Sequence, residues 1–388
     1  MKFIYFIFVL SFSCLIGSPK AIYLTLPEDP SHSMSIHWIE KLKEDSFKGV
    51  SYRKEGESIW KEVGFASNQI FGKSSFRVKQ SVLTGLEANL GYYFRLMGDE
   101  EEHYFRTLPS TLDRELKIAV GGDLYNALGP YTKMNRVVAK KSPDFAILGG
   151  DIAYTGGGKP TRWITFLEEW YKTMRGDKGR LIPFLAILGN HDVSSLDRKN
   201  KGKNTLFFQL FPFPANRSYQ TRDIVKELSF FLLDSDHIHS IAGEQAVWLE
   251  EVLKQRKDVL WKIPIYHIAA YPSIYSFSDD RSTRIRTHWI PLFEKYGVRL
   301  AFEHHNHAFK RTKPLLAGKE DRSGIVYIGD GAWGVSPRGS FKNTSYFVSY
   351  KKTNCVSLLI VRAQSLKVET FDLESNLIDE WGLQKDPI

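Results

Sequence analysis

Five short apolar runs in this 388-residue chain each stop at a small cluster containing Asp, Asn, His or Tyr, and nothing else in the sequence restricts the fold as strongly. Residues 116–120 run into Gly121-Gly122-Asp123-Leu124-Tyr125, and residues 144–148 lead into Gly150-Asp151-Ile152-Ala153-Tyr154. Residues 183–188 lead into Gly189-Asn190-His191-Asp192. Residues 263–266 end at His267, and residues 298–302 pass through Glu303 to His304-His305-Asn306-His307. Runs of about four to eight mostly apolar residues, closed by Gly or a polar cluster, have the pattern of buried strands. Such strands present functional side chains from the loops at their carboxyl ends, so the five clusters are expected to meet in one crevice.

The donor set is carboxylate, amide, imidazole and phenol, with no thiolate, which suits Fe, Mn, Zn or Mg. A His-x-His pair on an extended segment directs both rings to one face, so His305 and His307 are expected to serve one ion together or one ion each. Taken singly, a Gly-Asp after a strand is a turn, and a lone His after an apolar run is a hydrogen-bonded loop residue. Five such clusters in order, each behind a strand, are hard to produce by accident.

With those runs in place, the chain resembles the calcineurin-like metallophosphoesterases, and in particular their purple acid phosphatase branch. The pattern of that branch is an Asp after the first strand, then GDxxY, GNH[DE], a strand-terminal His and GHxH. Asp123, Gly150-Asp151-x-x-Tyr154, Gly189-Asn190-His191-Asp192, His267 and His305-x-His307 take those places in order, within roughly residues 115–375. The resemblance implies Asp123, Tyr154 and His307 around a first metal ion. It implies Asn190, His267 and His305 around a second, with Asp151 bridging the two. A phenolate at Tyr154 implies Fe(III) in the first position, with Fe(II), Zn or Mn in the second. His191 is implied as the catalytic residue over the substrate phosphate. The activity implied is hydrolysis of a phosphoester by a metal-bound hydroxide, foremost that of an acid phosphatase acting on monoesters. A phosphodiesterase or nucleotide hydrolase on the same fold is the alternative, and a surface binding protein with a vestigial metal site is a second.

The sequence departs from the pattern in three places. His304 stands where GHxH has Gly. Tyr125 competes with Tyr154 for the role of phenolate. Residues 276–280 contain no histidine, although plant-type enzymes carry a histidine pair there. His304 and Asp192 are therefore expected on the substrate side. Asp279 and Asp280 are weaker candidates for a proton donor.

Helix-like apolar spacing recurs at 136–141, 162–174 and 244–255, with Trp163, Phe166 and Trp170 forming one buried stripe. Strands alternating with helices indicate a sheet covered by helices, and residues 356–361 and 366–371 have the pattern of a closing hairpin. Residues 20–108 differ, being short alternating segments separated by polar turns, the pattern of an antiparallel sandwich. Val82-Leu83-Thr84-Gly85-Leu86 ahead of Tyr92-Tyr93-Phe94-Arg95 resembles a fibronectin type III domain. The expected organisation is a signal peptide at 1–18, a fibronectin type III-like β-sandwich at 20–110 and a catalytic domain at 115–388. The fold class is α/β, a four-layer metallophosphoesterase sandwich of mixed sheets with flanking helices, preceded by the small all-β sandwich.

Met1-Lys2 and the apolar stretch 3–16 are too short to span a bilayer comfortably and fit an export signal. Leu10-Ser11-Phe12-Ser13-Cys14 loosely resembles a bacterial lipobox, which would make Cys14 a lipid anchor; ordinary cleavage near 18–21 competes with it. The expected location is secreted, periplasmic or membrane-anchored as a lipoprotein. Cys14 and Cys355 are the two cysteines, so no internal disulfide is expected once the signal is removed. The net charge of +9 suits a small phosphorylated substrate, and it equally suits a solvated basic surface. The sequence carries no nucleic-acid-binding module.

Overall fold

The computed structural model describes residues 18–125, 129–203, 205–214, 217–329, 331–342 and 344–384. Cys14 and the apolar stretch 3–16 lie outside them. The strands Leu116–Gly121, Phe145–Leu148 and Phe184–Ala186 lie side by side and parallel. Successive strand residues face opposite ways, and the sequence uses both faces. Ile118, Val120, Ile147 and Leu185 point into a central core, while Ala119, Ala146, Leu148 and Phe184 pack against helices.

A second sheet repeats this arrangement. Its parallel part is Leu228–Leu232, Trp261–Ile265, Leu300–Glu303 and Val326–Gly329. Phe230, Leu232, Ile263, Ile265 and Phe302 meet the first sheet's inner face in the same central core. Phe231, Tyr266, Ala301 and Tyr327 face outward, against Leu249, Leu253, Ile285, Trp289 and Phe293.

The helices close the outer layers. Tyr131–Lys141 and Pro160–Thr173 cover the first sheet, and the expected stripe of Trp163, Phe166 and Trp170 is buried there. Glu244–Gln255, Asp280–His288 and Ile290–Lys295 cover the second. The layers run helix, sheet, sheet, helix, as expected.

The closing hairpin Val356–Arg362 and Ser365–Phe371 pairs antiparallel onto Leu116–Gly121. A third strand, Leu377–Gln384, extends it. The sequence pattern does not announce that strand, because both its faces are largely exposed and carry Asp379 and Glu380.

The N-terminal part is an eight-stranded sandwich among the described residues. Ser67–Ile70, Phe76–Leu83, Met34–Lys41 and Ala21–Thr25 form one layer. Lys61–Gly64, Gly49–Lys54, Gly91–Leu96 and His103–Arg106 form the other. The first layer does not end at its own border. Thr25 pairs in parallel with Phe184, which joins Ala21–Thr25 to the first catalytic-region sheet and makes a sheet of ten strands. Ile22, Leu24 and Trp38 accordingly share a core with Ile118 and Ile263. Among the described residues no helix is long and apolar enough to cross a membrane.

Candidate metal centre

The polar clusters leave the sheets at the carboxyl ends of the parallel strands, and the first two loops stay laced together. Gly149 N donates to Gly121 O (2.8 Å), Asp123 N to Gly150 O (2.9 Å) and Leu124 N to Asp151 O (3.0 Å). Asp123, Asp151, Tyr154, His305 and His307 all adopt left-handed backbone, with φ of 56°, 50°, 51°, 70° and 54°. Such strain costs about 1–3 kcal/mol per residue, persists only where surroundings enforce it, and clusters at functional sites. The His305–His307 stretch is therefore a tight turn and not the extended segment expected, and its two rings part company.

His307 goes to the first group. Its Nε2 lies 2.9 Å from Asp123 Oδ1 and 3.1 Å from the Tyr154 hydroxyl, which itself donates to Asp123 Oδ1 at 2.8 Å. His305 goes to the second group, where potential ligand atoms of Asp151, His267 and His305 all lie within 4.8 Å of one another. Asp151 Oδ2 is 3.4 Å from His267 Nε2. The opposite ring nitrogen, His267 Nδ1, donates to Gly149 O (2.9 Å), which leaves Nε2 bare toward Asp151, the orientation a ligating histidine needs. Asp151 Oδ1 accepts from His191 N (2.7 Å), which frees Oδ2. Only glycine fits at 189, since a Cβ there would stand 2.1 Å from Asp151 N.

Asp151 Oδ2, Asn190 Oδ1, His267 Nε2 and His305 Nδ1 are all buried with no hydrogen-bond partner in the chain. A buried polar atom left unpaired costs about 1–3 kcal/mol. Four such atoms on neighbouring loops amount to a cradle that a cation would satisfy, and the hard oxygen and imidazole donors fit a transition-metal ion. Asp123, Tyr154 and His307 fit a second ion alongside.

Charge is unevenly distributed over these groups. Burial pushes the Tyr154 phenol far above its ordinary range, with Asp123 and Asp151 adding to the effect. Burial also opposes the charge of Asp123, but His267 and His307 outweigh it and lower this carboxyl. Burial, with the charge of His267, pushes His305 well down. His267 is itself opposed by burial but raised to about 9 by Asp151 and Asp123. A metal needs His267 Nε2 without its proton, so binding below pH 9 must expel that proton. In metal-free protein the His267 contribution to stability is complete below about pH 6.5, its unfolded value, and is lost as pH rises through 9. The melting temperature of metal-free protein is therefore expected to fall between these pH values while zinc affinity rises. Thermal denaturation and buffered zinc titrations across the range check both; parallel trends would contradict the assignment of His267.

His191 is half exposed (53%), stacks on Tyr154 with centroids 4.8 Å apart, and holds Nε2 4.0 Å from Asp151 Oδ2. Tyr125 takes no part, packing edge-on against Tyr131 and Phe166. Two expectations need correction. Asp192 is not on the substrate side: it is fully buried, and its carboxylate ties the loops together by accepting from Gly189 N (2.9 Å), Ile152 N (2.9 Å) and Ala153 N (3.4 Å). Burial and then Asp151 raise it to about 7. His304 is also buried, its ring filling the space over Gly122 and Gly149, where a Cβ at 149 would stand 2.0 Å from its Nε2.

A cavity of about 700 Å³ opens beside the centre. Asn190 and His191 line it, together with His237, His239, Arg198 and Arg281. None of these last four stands out from the five runs. The signal for the two histidines is a sixth run of the same kind, the strand Leu228–Leu232 closed by Asp234-Ser235-Asp236-His237-Ile238-His239, whereas Arg198 and Arg281 sit on short polar helices that no run announces. Asp279 and Asp280 also line it; Asp279 caps the helix Asp280–His288 by accepting from Ser282 N (3.2 Å).

The chain and its fold have counterparts among known proteins. The calcineurin-like phosphoesterase family matches residues 116–309, half of the chain. Probable purple acid phosphatase 20 of Arabidopsis thaliana is 27% identical over 276 residues, covering 66% of this chain and 61% of the relative. The Fe(3+)-Zn(2+) purple acid phosphatase 12 of the same plant is 22% identical over 346 residues, covering 81% and 72%. A purple acid phosphatase structure from yellow lupin (Lupinus luteus) seeds superposes with a TM-score of 0.77 at 16% identity, over 94% of this chain and 74% of the other. The chain thus shares the fold of a purple acid phosphatase but spans about three fifths of the first relative's length. By the family match and by the loops that carry its motifs, this chain belongs to the calcineurin-like phosphoesterase family.

Proposed function

We propose that the protein is a dinuclear metal-dependent phosphoester hydrolase, acting foremost as an acid phosphatase on monoesters. The four unpartnered buried atoms on Asp151, Asn190, His267 and His305, set beside the Asp123–Tyr154–His307 triangle, carry this reading. A vestigial site would have no reason to keep uncompensated polar atoms buried at that cost. Asp123, Tyr154 and His307 would hold one ion, Asn190, His267 and His305 the other, and Asp151 both. Bound there, the two cations supply Lewis-acid activation of water and neutralise charge on the phosphoryl oxygens.

The rest falls to the chain. His191, half exposed above Asp151 and steadied by its stack on Tyr154, is placed to donate to a phosphoryl oxygen as charge builds there. Asp192 and the Gly189 contact hold the Asp151 and Asn190 loops in register. The raised Tyr154 phenol resists ionisation, so only a strongly polarising cation would displace its proton to solvent, which favours Fe(III) in the first position. The second would be Fe(II), Zn or Mn. Export through the stretch 3–16, with or without anchoring at Cys14, belongs to the same proposal.

Metal content and the visible spectrum test the subclass. A phenolate-to-iron band in the visible is expected, lost in Tyr154→Phe with the fold intact by circular dichroism. A colourless, active dizinc or dimanganese protein would refute the iron assignment and spare the hydrolase. Turnover of p-nitrophenyl phosphate against bis(p-nitrophenyl) phosphate separates monoesterase from diesterase.

A further inference from the structure

We propose that the cavity beside Asn190 and His191 is an anion subsite, in which Arg281 and Arg198 select phosphoesters whose leaving group carries a second phosphate. This rests on the hydrolase reading above and names its substrate class. At about 700 Å³ the cavity is the size of pockets that enclose whole small molecules, larger than one reacting phosphate requires. Asn190 and His191 place the reacting end, so the remaining walls face whatever the phosphate is attached to.

Three arginines line those walls. Arg284 is committed, donating to Asp236 (2.5 Å) and to Ser240 Oγ (2.7 Å). The guanidinium groups of Arg281 and Arg198 make no ion pair or hydrogen bond among the described residues. Asp279 and Asp280 share the cavity, but Asp279 is turned to its helix cap at Ser282 N, and among the described residues neither forms an ion pair with the two arginines. Arg281 is nevertheless close enough for its charge to act on both His237 and His305. A planar guanidinium left free in a concavity is suited to bidentate capture of a phosphate.

The part of the lining formed by residues 236–240 is built, not incidental. Ser218 gives its proton to buried Asp234, so its oxygen accepts from His239 Nδ1 (2.7 Å). Asp234 in turn accepts from the backbone N–H of His237 (2.7 Å), Ile238 (2.9 Å) and His239 (2.8 Å). This anchor fixes the loop and holds the His239 ring from one side, with Nε2 at its far edge. His237 lies fully buried with Nδ1 unpartnered.

Initial rates of the metal-loaded protein on fructose 1,6-bisphosphate and fructose 1-phosphate test the proposal. The bisphosphate is expected to show kcat/KM at least about tenfold higher, the range of one charge-assisted hydrogen-bonded contact. Arg281→Ala and Arg198→Ala are expected to lower kcat/KM for the bisphosphate about tenfold more than for the monophosphate, with Arg281→Lys recovering part of the loss. Asp280→Asn, which removes a like charge from the cavity, is expected to raise it. Calorimetric binding of a non-hydrolysable bisphosphonate analogue should weaken about tenfold in Arg281→Ala, independently of turnover. Equal rates on the two sugars, equal losses on both in the arginine variants, or a preference for a cationic leaving group such as that of phosphocholine would overturn the inference alone. Absence of turnover on any phosphoester would overturn the hydrolase reading, and the subsite with it.

Discussion

An Asp151→Asn protein is expected to fold normally, to bind less than half the metal of the parent and to lose activity on the order of 10³-fold. The substitution keeps the shape of the side chain. Asn can still accept the 2.7 Å bond from His191 N through its carbonyl oxygen, so the loop has no reason to move. It replaces the second oxygen, the one left unpartnered between the two groups, with an uncharged N–H donor facing His267 Nε2. A donor there repels a cation. The larger of the two charges that raise His267 is also lost, leaving only Asp123, so that ring becomes neutral more readily. Metal per chain by elemental analysis, read beside turnover of p-nitrophenyl phosphate, distinguishes the outcomes. Full occupancy with full activity would refute the bridging role proposed for Asp151.

Lys310→Ala is expected to cost about 3–5 kcal/mol of stability, the penalty for stranding one member of a buried ion pair. Glu303 and Lys310 are both buried to 1% exposure or less. Glu303 Oε1 accepts from the Tyr266 hydroxyl and from Ala270 N, both at 2.7 Å, while Oε2 meets Lys310, which also bonds Tyr271 O. In sequence the pair flanks the His304–His307 turn, Glu303 directly before it and Lys310 three residues after it. Without Lys310, Glu303 must keep its charge in an apolar layer or take up a proton. The paired variant Glu303→Gln with Lys310→Met should recover most of the loss, because it removes both charges together. Urea denaturation of the three proteins, compared at constant slope, checks this. A loss below about 1 kcal/mol in Lys310→Ala would mean that the pair contributes as little as a surface bridge does.

The parts of the site legible in sequence are those where local pattern and function coincide. Buried parallel strands are apolar on both faces, so the runs before Asp123, Asp151, Asn190, His267 and His305 stand out against their polar ends. What escapes is set by long-range contact. Nothing near His304 says that its ring will lie over Gly122 and Gly149, more than a hundred residues away, and so a buried packing residue passes for a substrate contact. Asp192 fails for the same reason: its three N–H partners come from two loops, one of them some forty positions earlier. The 234–239 loop follows the same rule as the other five, but its histidines sit beyond an Asp-Ser-Asp turn, and only the fold brings them to the cavity. His305 and His307 show a further limit: the extended segment expected there is a left-handed turn, although the rings still go to separate groups, one of the two arrangements the pattern allowed.

The pairing of Thr25 with Phe184 has a consequence for how the molecule can be divided. A sandwich that begins a chain is usually treated as a detachable module, ready to be cut off or exchanged. Here its removal would bare the flank of Phe184–Ala186, the strand that delivers Asn190 and His191, and leave amides and carbonyls there without partners. Open strand edges of that kind recruit other copies of themselves. The N-terminal sandwich therefore acts as a guard rail as much as an appendage, keeping the sheet that carries the reactive loops from continuing into a neighbour.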